Sequence, residues 1–198
     1  MSAPVSGLRT ARPPYCSSDN SLTFAILEEM IPTNMTPVLA ETTQGRNWKL
    51  ETKIYRQNEL KENFAFTSKG VLFIGLNLVG GLVHDSSEWR ERHISNANWI
   101  ETHFDRNKKD VWAAVIIAQA NPSEKHLDFM SKFLISAEQF SKPIIFIHGD
   151  GHRWIYEESW LKPNIIRIQV DKGGIAPPLK LIMNPESKNI ISYDREQY

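Results

Sequence analysis

Three short, almost wholly apolar runs constrain this chain more than any other feature. They are Val71 to Val79 (VLFIGLNLV), Val111 to Ala118 (VWAAVIIA) and Pro143 to His148 (PIIFIH). A strand with one wet face alternates apolar and polar residues, whereas a run that is apolar throughout is covered on both faces. Between the runs lie two stretches with helical spacing. Glu88 to Phe104 carries Trp89, Arg92, Asn96, Trp99, Ile100 and His103 through successive turns. His126 to Phe140 aligns Leu127, Met130, Phe133, Leu134 and Ala137 as an apolar stripe. Gly80-Gly81 ends the first run, and Pro122 stops regular structure after the second. Further on, Ile165 to Val170 alternates as a strand, and Leu179 to Met183 with Asn189 to Tyr193 reads as a closing hairpin around Asn184-Pro185. The order predicts an α/β fold of layered mixed β-sheets flanked by helices, with a mixed or antiparallel edge where the late strands lack helices.

The chain divides once in character. Residues 1–65 are weakly periodic and broken by Pro13, Pro14, Pro32 and Pro37. Within them Leu22 to Met30 is expected as a short helix, because Leu22, Ala25, Ile26 and Met30 share one helical face and Ser21 or Asn20 can cap it. Met35 to Leu60 is expected as loop with short extended pieces. The organisation read from this is an irregular segment over 1–65 with a short helix, then an α/β domain over 66–198.

Composition excludes several classes. Twenty-three basic and 23 acidic residues cancel, which removes the bulk electrostatic argument for nucleic acid or an anionic membrane. The 41% hydrophobic and 23% charged fractions are those of a globular protein. One cysteine, Cys16, rules out an internal disulfide framework and a Cys-based zinc finger. No apolar run approaches the roughly 18 residues of a membrane span. Met1 to Asn20 lacks the apolar stretch of a secretory signal, which favours a cytoplasmic location.

In layered α/β folds, sites sit beyond the carboxyl ends of strands. Those ends offer Asn77, then Gln119 and Asn121, then His148-Gly149-Asp150-Gly151-His152-Arg153, then Asp171-Lys172-Gly173-Gly174. The third is the most informative, since glycines let the backbone turn two histidines and an aspartate toward one point. Imidazole with carboxylate suits Zn, Mn or Fe. The plainer alternative stays open: His148 as a hydrogen-bonded strand end and Asp150 as a turn cap. Arg90, Arg92 and His93 are able to hold a phosphate or to form a solvated helix face. The tryptophans Trp89, Trp99, Trp112, Trp154 and Trp160 read as packing residues. No dinucleotide fingerprint, phosphate loop or serine elbow occurs.

Several ordered pieces together resemble a family. Arg56-Gln57 with Glu62-Asn63 precedes the strand VLFIGLNLVGG. Glu88-Trp89-Arg90-Glu91-Arg92 leads through Asn96-Ala97-Asn98-Trp99-Ile100. Gln119-Ala120-Asn121-Pro122 ends the second strand, and the third runs into His148-Gly149-Asp150-Gly151-His152-Arg153. From about Arg56 onward the chain resembles the C-terminal half of a calcineurin-like metallophosphoesterase. The resemblance implies two facing mixed β-sheets with helices outside, and a two-metal centre of Mn, Fe or Zn. It implies that His152 is a metal ligand, that Asp150 replaces a ligating histidine, and that Gln119 (or Asn121, in a register slipped by two) replaces another. Arg92, Asn121, His148 and Arg153 would then face the phosphoester. The family's first-half metal motifs are absent from this sequence. The expectation is therefore a metal-dependent phosphoesterase-like protein that is incomplete or degenerate. The alternative is a non-catalytic binding or interaction domain, with a small phosphoester as a candidate ligand and self-association as a candidate assembly.

Overall fold

The computed structural model describes residues 22–26, 52–173, 176–187 and 189–195. Ten strands and two helices account for its regular structure. β1 is Leu22–Ile26, β2 Tyr55–Arg56, β3 Phe64–Ser68, β4 Val71–Leu76, α1 Ser86–Asn107 and β5 Ala113–Ala118. A 3₁₀ turn, Glu124–His126, leads into α2, Leu127–Phe140. β6 is Ile144–His148, β7 Ile155–Glu157, β8 Ile165–Gln169, β9 Leu179–Met183 and β10 Ile191–Asp194.

The three apolar runs become β4, β5 and β6, central strands of a seven-stranded sheet in the order β2-β3-β4-β5-β6-β8-β7. β4, β5, β6 and β8 are parallel, while β3 pairs antiparallel to β4, β2 to β3, and β7 to β8. β4, α1, β5, α2 and β6 step across the sheet in one direction, so right-handed crossovers place both helices on the same face. On that face Leu72, Ile74, Ala114, Ile116 and Phe146 pack with Ile100, Phe104, Phe129 and Phe133. On the opposite face Phe66, Phe73, Val115, Ile145 and Ile147 meet Leu179, Leu181 and Met183 of a three-stranded antiparallel sheet, β1-β9-β10. The strands are apolar throughout because one face meets helices and the other a second sheet. The protein is thus a mixed α/β fold with a seven-stranded mixed sheet and two flanking helices.

Several expectations need correction. The short helix over Leu22 to Met30 is not formed: Leu22–Ile26 is a strand paired with β9, from Leu22 opposite Met183 to Ile26 opposite Leu179. A single short helix is marginal on its own. Thr23, Phe24 and Ile26 favour a strand, and an available partner decides the contest. The rest of that segment and most of the expected Met35 to Leu60 loop lie outside the described residues. The large sheet also begins before residue 66, with β2 and β3. β3 meets β4 through a two-residue turn, Lys69 (φ 45°) and Gly70 (φ 74°). Both positive angles match the turn whose twist suits a hairpin, but Lys-Gly is a weaker sequence signal than Asn-Gly. Leu127, placed in the apolar stripe of α2, is 64% exposed, and Phe129 and Phe140 are buried instead. β7 was not anticipated.

The end of α1 rests on a side chain from a later segment. The Lys142 amine donates to the carbonyls of Lys108 and Val111. Lys108 caps α1, where the helix leaves carbonyls unpaired and its dipole favours a cation, and Val111 lies in the link to β5. Burial pushes the Lys142 pKa down. Replacing it by Met keeps the stem and removes the cap. Lys142→Met is expected to lower unfolding free energy by roughly 1–2 kcal/mol in urea titrations. A change within error would show that water serves those carbonyls equally well.

Candidate functional site

Residues from the ends of β5 and β6, with β7 and β8, form a connected set of polar side chains. At its centre is Arg167, on β8. Its Nε donates to His148 Nε2 at 2.9 Å, its Nη2 to Asn121 Oδ1 at 2.8 Å and its Nη1 to Glu157 Oε2 at 2.8 Å. The guanidinium also lies over the Trp160 ring, 5.3 Å from its centroid. Four neighbouring segments are thereby tied at one point. A guanidinium always donates, so His148 Nε2 must accept and the ring proton sits on Nδ1. That proton goes to the carbonyl of Gly149, 2.9 Å away. His148 is fully buried, and burial, with the Arg167 charge adding to it, holds its pKa down to about 4. It is a neutral ring with both nitrogens committed inside the chain.

The loop after β6 folds back over this set. Asp150 (φ 70°) and His152 (φ 52°) both occupy the left-handed region that glycine favours. Gly151 lies between them, and a Cβ there would stand 2.2 Å from Gln169 Nε2. Only glycine tolerates that approach. Gln169, almost wholly buried, donates from Nε2 to the Arg153 carbonyl at 2.7 Å, while its Oε1 is buried without a partner. Backbone strain of this kind persists only where the surroundings impose it, and it concentrates at ligand clamps and active sites. The loop holds Asp150, His152 and Arg153 exposed at the edge. The Asp150 carboxylate rests against Gly80 of the β4–α1 connection, where a Cβ would lie 2.9 Å from Oδ2.

The residues expected at the site divide into groups. Asn121 and His148 are joined through Arg167. Asp150, His152 and Arg153 share the strained loop. Gln119 is exposed at the end of β5, and its carbonyl accepts from the Gly149 amide at 3.2 Å. Arg92 is occupied on α1, where Nε donates to Glu88 Oε1 at 2.7 Å. His93 of the same helix is buried. Sequence reasoning missed Arg167, Glu157 and Gln169. Arg167 and Gln169 had a readable signal: they are the polar positions of Ile165 to Val170, a strand next to the continuous apolar ones, and a buried polar residue is more informative than an exposed one.

The pieces leading into β4 serve a different end. Asn63, fully buried, donates from Nδ2 to Gln57 Oε1 and to Asn96 Oδ1, both at 2.6 Å. Its Oδ1 accepts from the Asn77 amide at 2.6 Å. Asn96 Nδ2 returns to the Asn77 carbonyl at 3.0 Å, and Gln57 Nε2 reaches Ser95 Oγ at 2.7 Å. This closed amide network ends β4 at Leu76 and fixes α1 against the sheet.

A two-metal centre needs several convergent anionic or imidazole ligands. Among the described residues, no group of three or more His, Cys, Asp or Glu side chains is placed to hold a metal ion. His148 is committed to Arg167 and Gly149, and a fixed cation stands beside it. The described residues therefore do not by themselves fit the two-metal centre that the resemblance implies. What they do provide is a rigid guanidinium beside a strained loop bearing a carboxylate, an imidazole and a second guanidinium. Compared with protein-family models, curated proteins and solved structures, the chain matches none.

Proposed function

We propose that this chain is a metallophosphoesterase-like protein of incomplete type. In this reading it binds a small phosphoester at the carboxyl edge of the large sheet and does not hydrolyse it unaided. The observation that carries the reading is the pinning of Arg167 by His148 and Asn121. Two of its nitrogens are fixed by the chain, and the third faces Glu157, whose side chain is 47% exposed. A phosphate oxygen competes with that exposed carboxylate for a guanidinium whose orientation is already set, so little ordering is left to oppose binding. Arg153 and His152 lie exposed on the loop that follows β6.

The test pairs binding with turnover. Purified full chain is titrated with 4-nitrophenyl phosphate by calorimetry, and Mn-dependent hydrolysis of bis(4-nitrophenyl) phosphate is assayed beside it. Measurable binding that weakens at least tenfold in Arg153→Ala, with no turnover, is the expected result. Lack of any phosphoester binding by folded protein overturns the ligand. Mn-dependent turnover that disappears in His152→Ala overturns incompleteness and makes the chain a catalyst in its own right.

A further inference from the structure

The loop after β6 offers backbone donors as well as side chains. Two left-handed residues flank one that is not: Asp150 has φ 70° and His152 φ 52°, while Gly151 has no positive φ. The chain bends at Asp150, Gly151 and Arg153. Alternating hand of this kind turns successive amide N–H groups toward one concavity, which suits an anion. Among the described residues, the amides of Asp150, Gly151 and Arg153 find no acceptor. All three residues are exposed. A backbone N–H is an obligatory donor, so these amides are open to water or to a ligand.

Both ends of the loop are anchored. The Gly149 amide donates to the Gln119 carbonyl at 3.2 Å, and the Arg153 carbonyl accepts from Gln169 Nε2 at 2.7 Å. Gln169, 1% exposed, occupies the space that a Cβ on Gly151 would need. These ties fix the backbone without using the amides of Asp150, Gly151 or Arg153, so little ordering is left to oppose binding there. The Arg153 guanidinium, at the end of the same run, is exposed and makes no bond among the described residues. The loop's own carboxylate, Asp150, is set against Gly80 of the β4–α1 connection.

Resting on the phosphoester site proposed above, we infer that residues 150–153 cradle the terminal phosphate of a phosphomonoester. Amide donors that converge on one concavity take one phosphate oxygen, and the Arg153 fork takes two. A monoester has three free oxygens and a second negative charge near neutral pH, whereas a diester has two free oxygens and one charge. The class of ligand is therefore the monoester dianion. The Asp150 carboxylate opposes it and limits its affinity.

The experiment is an NMR titration of the isotope-labelled full chain with methyl phosphate and, separately, with dimethyl phosphate. Methyl phosphate is expected to move the Gly151 and Arg153 amide protons downfield with one dissociation constant, while the β5 amides stay in place. Dimethyl phosphate is expected to bind about tenfold more weakly. Asp150→Asn keeps the shape and removes the like charge, and is expected to tighten methyl phosphate about fivefold. The Arg167 Nε–H, bonded to His148, reports separately on the contact proposed for Arg167. Methyl phosphate that shifts Arg167 and leaves the Gly151 and Arg153 amides unmoved overturns the cradle and leaves the phosphoester site standing. Cradle amides that shift with Arg167 unmoved uphold the cradle and remove Arg167 from the site. A diester bound as tightly as the monoester overturns the ligand class, and no binding of either ester by folded protein overturns both cradle and site. These outcomes are read on the wild-type chain and hold whether or not the variant folds. Unchanged or weaker binding in folded Asp150→Asn overturns the placement of the phosphate at this loop.

Discussion

Acidification from pH 7 to pH 4.5 is expected to remove much of this protein's stability. Three buried histidines carry the effect. Burial, with Arg167 adding to it, holds His148 down to about 4, and burial, with Arg106 adding to it, does the same for His103. His93 is lowered as well. An unfolded chain binds a proton at each ring near pH 6.5, whereas in the folded chain His103 and His148 do not until about pH 4, and His93 does so only below its ordinary value. Between those values the unfolded state holds more protons, so stability rises with pH. The contribution is complete above about pH 6.5 and is lost as pH falls toward 4. For His103 and His148 it is about 2 kcal/mol each by pH 5, and about 3 kcal/mol each in full. Domains of this size are stable by only about 5–15 kcal/mol, so the loss is a large share. Urea midpoints measured in half-unit steps from pH 7.5 to 4.5 should fall steadily below pH 6.5. His103 sits between Trp99 and Tyr55, with centroids 4.2 and 5.8 Å away, and its Nε2 has no partner. His103→Phe should therefore keep the packing and flatten the slope by about a third to a half. A midpoint independent of pH would mean that these rings take up protons at the same pH in the folded and the unfolded chain.

Loss of Asn63 is expected to be among the most damaging single changes. It supplies two donors and one acceptor to partners from three other segments. Asn63→Leu fills the volume and leaves the Gln57 oxygen, the Asn96 oxygen and the Asn77 amide unpaired. Each buried orphan costs roughly 1–3 kcal/mol, and the members of a closed network do not fail independently. A total of roughly 3–5 kcal/mol is expected in denaturant unfolding. Asn63→Asp preserves shape but turns the donors into an acceptor facing two amide oxygens, so it should fare no better. Exposed Asn58 is the control, and Asn58→Ala should stay within about 0.5 kcal/mol. A loss below about 1 kcal/mol for Asn63→Leu would show that β4 and α1 are positioned by apolar packing alone.

These two predictions also mark how far the sequence could be read. Both helices, the parallel strands and the closing hairpin were legible, because each is announced by a local pattern long enough to be distinctive. β3 was obscured by a Lys-Gly turn, and β7 by being only three residues long. Asn63 and Asn96 were noticed as parts of a resemblance. That they bond each other and set the end of β4 is a fact of tertiary structure. Around the candidate site, Asp150 and His152 were singled out from the sequence as metal ligands and Asn121 as a substrate contact, and all three lie just beyond strand ends. Arg167, which joins Asn121, His148 and Glu157, was not, since these partners lie 10 to 46 residues away.

The sequence by itself determined the covered strands, their alternation with helices and the glycine-rich turn after β6. Each follows from the periodicity of apolar side chains and from the freedom or restriction of single residues. Only the tertiary structure decided that Leu22–Ile26 is a strand, because its alternative was settled by an edge of β9 far along the chain. It likewise decided that His148 is a neutral support for Arg167, because the state of a buried ring is set by the groups that surround it. Patterning acts over a few residues and is written in order along the chain. Strand pairing, burial and the satisfaction of polar groups act across space, and the order of residues does not contain them.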